Sequence, residues 1–141
     1  MEDYELFLDH ASSPHNVGVI DEADGVGAGV NPICGDTLRL MLRIDDGRVV
    51  DAKFQAQGCA AAVAAASAAT ELIIGQPLAE AAALSHKGIV EALGSLPPGK
   101  IHGPALALDC LRKALEDFHQ RRQGRRAGYA REPGQPSRPD T

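Results

Sequence analysis

Residues 37 to 57 restrict this chain more than any other segment. Leu38, Leu40, Leu42 and Ile44 alternate with Thr37, Arg39, Met41 and Arg43, a period of two. Asp46-Gly47 is a two-residue turn signal, and Val50, Ala52, Phe54 and Ala56 then alternate with Asp51, Lys53, Gln55 and Gln57. The pattern predicts an antiparallel hairpin with one apolar and one wet face, and an apolar sheet face requires a cover. Helix formers over residues 60–74, closed by Gly75, supply it, followed by short helices over 78–84 and 87–93. A last helix opens at Gly103-Pro104 and carries a buried stripe of Leu108, Leu111, Leu115 and Phe118. Residues 3–11 form a short first helix, and the Gly- and Asp-rich stretch 15–32 reads mainly as loop. The implied class is α+β, a small antiparallel sheet with helices packed on one face.

With 141 residues the chain accommodates one domain. We place that domain at residues 1–122, with an Arg-, Gly- and Pro-rich disordered tail at 123–141. Aromatics are only 4% and Trp is absent, so alanine and aliphatic side chains must pack the core closely, which argues against a large ligand cavity. The acidic start MEDYELFLDH does not resemble a secretory signal, and no apolar run reaches the ~18 residues of a membrane span. These features predict a cytoplasmic protein without membrane contact. Through Gln120 there are 8 Lys/Arg against 17 Asp/Glu, and beyond it 6 Arg against Glu132 and Asp140. An acidic body is a poor nucleic-acid binder. The glycines around Gly25, Gly27 and Gly29 lack the surrounding βαβ unit of a nucleotide loop.

Three widely spaced cysteines do not make a disulfide framework. Cys34 stands two residues before Asp36 at a loop-to-strand junction. Cys59 stands at the start of the Ala-rich helix, facing its free N–H groups and the positive end of its dipole. Antiparallel strands begin and finish at one end, so the hairpin brings Cys34 near Cys59. If the last helix starts at that same end, His102 joins them. Two thiolates, an imidazole and the Asp36 carboxylate suit tetrahedral Zn²⁺ or a mixed-ligand iron–sulfur centre. Residue types alone do not separate this set from ordinary packing cysteines and a solvated histidine. Cys110 sits two turns into the last helix, about 10 Å along its axis from Gly103, too far to join and better suited to packing. Ser67 reads as a packing residue or one bonded to a backbone carbonyl.

Three blocks carry a family resemblance. His15-Asn16-Val17-Gly18 with Asn31-Pro32-Ile33-Cys34-Gly35-Asp36, then Phe54-Gln55-Ala56-Gln57-Gly58-Cys59-Ala60, then Leu96-Pro97-Pro98-Gly99-Lys100-Ile101-His102 together resemble the IscU/NifU-type (SufU-like) iron–sulfur assembly scaffolds, in order and separation, from about Tyr4 to Gln120. The resemblance implies a scaffold, not an enzyme, that holds iron or a nascent [2Fe-2S] cluster for transfer to apo iron–sulfur acceptor proteins. Zn²⁺ is the ion such a site would hold as purified. Cys34, Cys59 and His102 match ligand positions and Asp36 the family's acidic residue, while a cysteine desulfurase is the implied partner. Two positions depart. Gly103 replaces the third cysteine, the family's main sulfur acceptor. Gly99 replaces a valine in the chaperone-binding segment, removing an apolar contact. Both motivate the alternative of a degenerate scaffold that binds or regulates a desulfurase without accepting sulfur.

Overall fold

The computed structural model describes residues 4–33, 35–97, 100 and 102–126. Helix α1 (Glu5–Ser12) precedes strands β1 (Gly25–Asn31), β2 (Asp36–Asp45) and β3 (Arg48–Gln57). Helices α2 (Ala60–Ile73), α3 (Leu78–Ala82), α4 (His86–Leu93) and α5 (His102–Arg126) follow. The three strands form one antiparallel sheet in the order β1-β2-β3. With α1, α2 and α5, it makes the α+β architecture that the alternation predicts.

The hairpin closes as expected, with Asp46 at φ 52° and Gly47 at φ 74°, both in the left-handed region a tight primed turn needs. Its register differs from the simple alternation beyond the turn. Arg43 pairs with Asp51 but Ile44 with Val49, so Val50 is an extra residue at a bulge. Val49 is therefore buried and Val50 is 46% exposed. The predicted wet face is also partly covered. Met41 lies buried with Ile20 and Ala23 of the segment preceding β1.

The stretch expected to be loop contains a strand, β1. Its glycines alternate, so Gly25, Gly27 and Gly29 all face α5. A Cβ on Gly27 would run into the Cys110 carbonyl, and one on Gly29 would stand 3.1 Å from Cys110 Sγ. Residues 106, 110, 114 and 118 repeat at helical spacing along the facing side of α5, and a side-chain-free strand lets the helix backbone lie directly on it. Glycine's low strand propensity hides such a strand from sequence, because here its lack of a side chain is the packing device. Asp117 fixes this edge further, accepting the Val26 N–H at 2.9 Å, while Arg121 donates to the Ala23 carbonyl at 3.0 Å.

Arg121 is thus buried and ion-paired with Asp117 at 2.8 Å, part of the body and not of a basic tail. Helix α5 continues through Arg126, past the expected boundary at Gln123. Residues 127–141 of the expected tail lie outside the described residues, as do Cys34, Pro98, Gly99 and Ile101. Helix α2 is buried nearly all round, its alanines meeting α1, α4, α5 and β3. Among the described residues, no helix is long and apolar enough to cross a membrane.

Candidate metal and cluster site

The site builds from the end of the hairpin opposite its turn. Thr37 pairs with Gln57, which sets Asp36 beside Gly58 and Cys59. The Asp36 side chain is 1% exposed and turned toward the start of α2. Its Oδ1 accepts the Cys59 N–H at 2.8 Å and its Oδ2 accepts the Cys59 thiol at 3.3 Å. Cys59 is the N-cap of α2 and makes no side-chain cap of its own, so a carboxylate from a distant strand satisfies its N–H. Gly58 makes this possible twice over. Its φ of +138° is unfavourable for other residues, and a Cβ there would collide with the Asp36 carboxylate.

The start of α5 arrives at the same end by close helix packing. Gly103 is buried, and a Cβ on it would collide with the Ala61 carbonyl, in the first turn of α2. His102, one residue earlier, is exposed and lines a shallow cavity of about 250 Å³ with Val30, Asn31 and Pro32. The structure therefore joins Asp36 and Cys59 directly and brings His102 to the same end of the molecule. Among the described residues, no hydrogen bond or ion pair links His102 to Asp36 or Cys59. Cys34 belongs to this expected set, between the exposed Ile33 and Gly35, and itself lies outside the described residues.

Half-buried Cys59 and buried Cys110 differ in kind. Burial, reinforced by the neighbouring Asp109 carboxylate, pushes the Cys110 thiol up to about 12, and its Sγ lies 3.5 Å from the Leu38 carbonyl. It is a packed neutral group, not a ligand.

A second polar cluster escapes the sequence reading. Ser67 does more than pack in its helix. Its Oγ lies 2.7 Å from His10 Nδ1 and accepts the His15 N–H at 2.8 Å. One turn on, Glu71 Oε1 lies 3.0 Å from His15 Nδ1 and 3.4 Å from His10 Nε2. The only signal available beforehand was the i, i+4 spacing of Ser67 and Glu71, which places them on one helical face.

Residues 3–125 match the family described as NifU-like N terminal domain. The chain is 45% identical over 114 residues to the iron–sulfur cluster assembly scaffold protein IscU 1 of Archaeoglobus fulgidus, covering 81% of this chain and 74% of that one. It is 41% identical over 123 residues to the iron–sulfur cluster assembly scaffold protein IscU of Aquifex aeolicus, covering 86% and 78% respectively. Among solved structures, it resembles a SUF-system iron–sulfur cluster assembly scaffold protein from Fervidobacterium islandicum AW-1. That match has a TM-score of 0.66 at 26% identity, over 79% of this chain and 94% of that one.

Proposed function

The chain belongs to the NifU-like N-terminal domain family, and from that premise we propose that it is an iron–sulfur cluster assembly scaffold, one that holds iron or a nascent [2Fe-2S] cluster as cargo and passes it to apo-acceptor proteins. The observation that carries this reading is the Asp36–Cys59 pair, a buried carboxylate locked beside a half-buried thiol at a helix N-terminus. Once the thiol gives up its proton, sulfur and oxygen face the same ion from fixed positions. Cys34 supplies the second thiolate and His102 the nitrogen. A set containing one carboxylate and one imidazole holds a cluster less firmly than four thiolates, which suits cargo that must leave. The same donors suit Zn²⁺.

Position 103 has no side chain, so sulfur delivered by a cysteine desulfurase has Cys34 and Cys59 as its acceptors. A chaperone that reads apolar side chains gains none from Gly99. The protein acts as a scaffold and not as a catalyst, in keeping with the names of the Archaeoglobus and Aquifex relatives.

Anaerobic reconstitution with Fe³⁺ and sulfide tests the reading. The wild type should take up iron and sulfide, develop visible absorption and transfer the cluster to an apo-ferredoxin. The Cys34→Ala, Cys59→Ala double variant should lose most bound iron. Unchanged iron content in that variant would overturn the site. Formation with sulfide but not with desulfurase and cysteine would favour the alternative, a desulfurase-binding relative that accepts no sulfur.

A further inference from the structure

The polar cluster at the far end of α2 has the composition and the construction of a second metal site. Cys59 and Glu71 are twelve residues apart, about 18 Å along the helix axis at 1.5 Å per residue, so this cluster does not belong to the cysteine site. The ligand atoms of His10, His15 and Glu71 all lie within 4.8 Å of one another. Two ligands ~2.0–2.1 Å from one ion, at tetrahedral or right angles, stand ~3 Å apart. The Glu71 contacts, 3.0 Å to His15 Nδ1 and 3.4 Å to His10 Nε2, have that spacing.

What distinguishes the cluster from a chance meeting of surface groups is Ser67, fully buried beneath it. Its hydroxyl oxygen has two lone pairs. One takes the His15 backbone N–H, which fixes that residue's position. The other can take His10 Nδ1–H, which leaves the His10 Nε2 lone pair facing Glu71. Ligating histidines are oriented by such a bond to their other ring nitrogen. The chain beyond His15 is held as well. Asn16, at φ 65°, donates through Nδ2 to Thr70 Oγ1 at 3.0 Å, and its carbonyl accepts the Phe54 N–H at 3.0 Å. His15 and Glu71 are 56% and 45% exposed at the side chain, which leaves solvent access for an ion and its remaining water ligands.

We propose that His10, His15 and Glu71 bind one first-row divalent cation, through two imidazole nitrogens and one carboxylate oxygen, at a site separate from the cysteine site. Imidazole with a single carboxylate favours Zn²⁺, Fe²⁺, Co²⁺ or Ni²⁺ over Mg²⁺ or Ca²⁺.

Co²⁺ is the probe, titrated calorimetrically and by absorption into the full-length chain carrying Cys34→Ser and Cys59→Ser. One Co²⁺ should bind, without a thiolate-to-metal charge-transfer band. Adding His15→Ala or Glu71→Gln should weaken that binding at least tenfold, while in the otherwise wild-type chain neither change should lower cluster reconstitution. A Cys34→Ser, Cys59→Ser chain that binds no Co²⁺, or one whose binding ignores both substitutions, overturns the proposal. Because the cysteine changes could disturb folding, Zn²⁺ is also titrated into the wild type while the histidine ring resonances are followed by NMR. Shifts at His10 and His15 support the site, and unchanged rings overturn it.

Discussion

Asp36 holds Cys59 at two points, through the backbone N–H at 2.8 Å and the thiol at 3.3 Å, with only 1% of the aspartate exposed. A carboxylate so deeply buried is tolerated because the start of a helix supplies both a donor and a favourable dipole. The contact ties the β2 end of the hairpin to α2, so a residue proposed to hold the cargo also serves the fold.

Replacing Asp36 should therefore cost stability even with no metal present. Asp36→Ala strands the Cys59 N–H and opens space beside Gly58. The expected loss is about 1–3 kcal/mol, the usual penalty for a buried donor left without its partner. Urea unfolding of the apo protein checks this. A cost near zero would mean that water replaces the carboxylate and that Asp36 is not structural.

Restoring a cysteine at position 103 should not simply restore sulfur acceptance. The Ala61 carbonyl occupies the place a Cβ at Gly103 would take, and a peptide carbonyl in a packed helix cannot swing aside as a side-chain tip can. Gly103→Cys should lower stability by about 1–3 kcal/mol through overpacking between α2 and α5. Gly103→Ala should show most of that loss without adding a thiol. Thermal unfolding of both variants, followed by desulfurase-driven assembly on whatever folds, separates the packing effect from the chemical one.

Cys110 should be silent toward thiol reagents in the native protein. It is 0% exposed, and burial raises its thiol from 9.0 to about 12. In a Cys34→Ser, Cys59→Ser chain at pH 8, labelling by a disulfide reagent should wait for unfolding. The pH dependence follows the same shift. The unfolded thiol ionises near 9.0 while the folded one stays neutral, so this contribution to stability is complete below pH 9 and declines as pH rises toward about 12. Comparing urea midpoints of wild type and Cys110→Ala across pH 8 to 10.5 should show a steeper fall for the wild type.

Local pattern made much of this protein legible. Alternation over residues 37–57 and the Asp46-Gly47 turn specify a hairpin because side chains on a strand must choose one face or the other. Leu111, Leu115 and Phe118 are buried as their helical spacing requires. The positions of Cys59 and His102 at helix starts could be read from glycine and proline punctuation alone. Strand β1 could not. Its three glycines are chosen for the α5 backbone lying against them, a reason that exists only once helix and strand meet. The bulge that exchanges Val49 for Val50 likewise depends on pairing across the turn.

The sequence by itself therefore determined the hairpin and the helices, the hairpin end that carries Asp36 and Cys59, and the family the chain resembles. Those properties rest on periodicity and on neighbours along the chain. Only the tertiary structure decided that Asp36 is buried against Cys59, that Gly103 is sealed by Ala61, and that Ser67 holds His10 and His15 beside Glu71. Each depends on groups 23 to 61 residues apart in the chain coming within contact distance. Such contacts form when helices and sheet pack, and no local pattern encodes them.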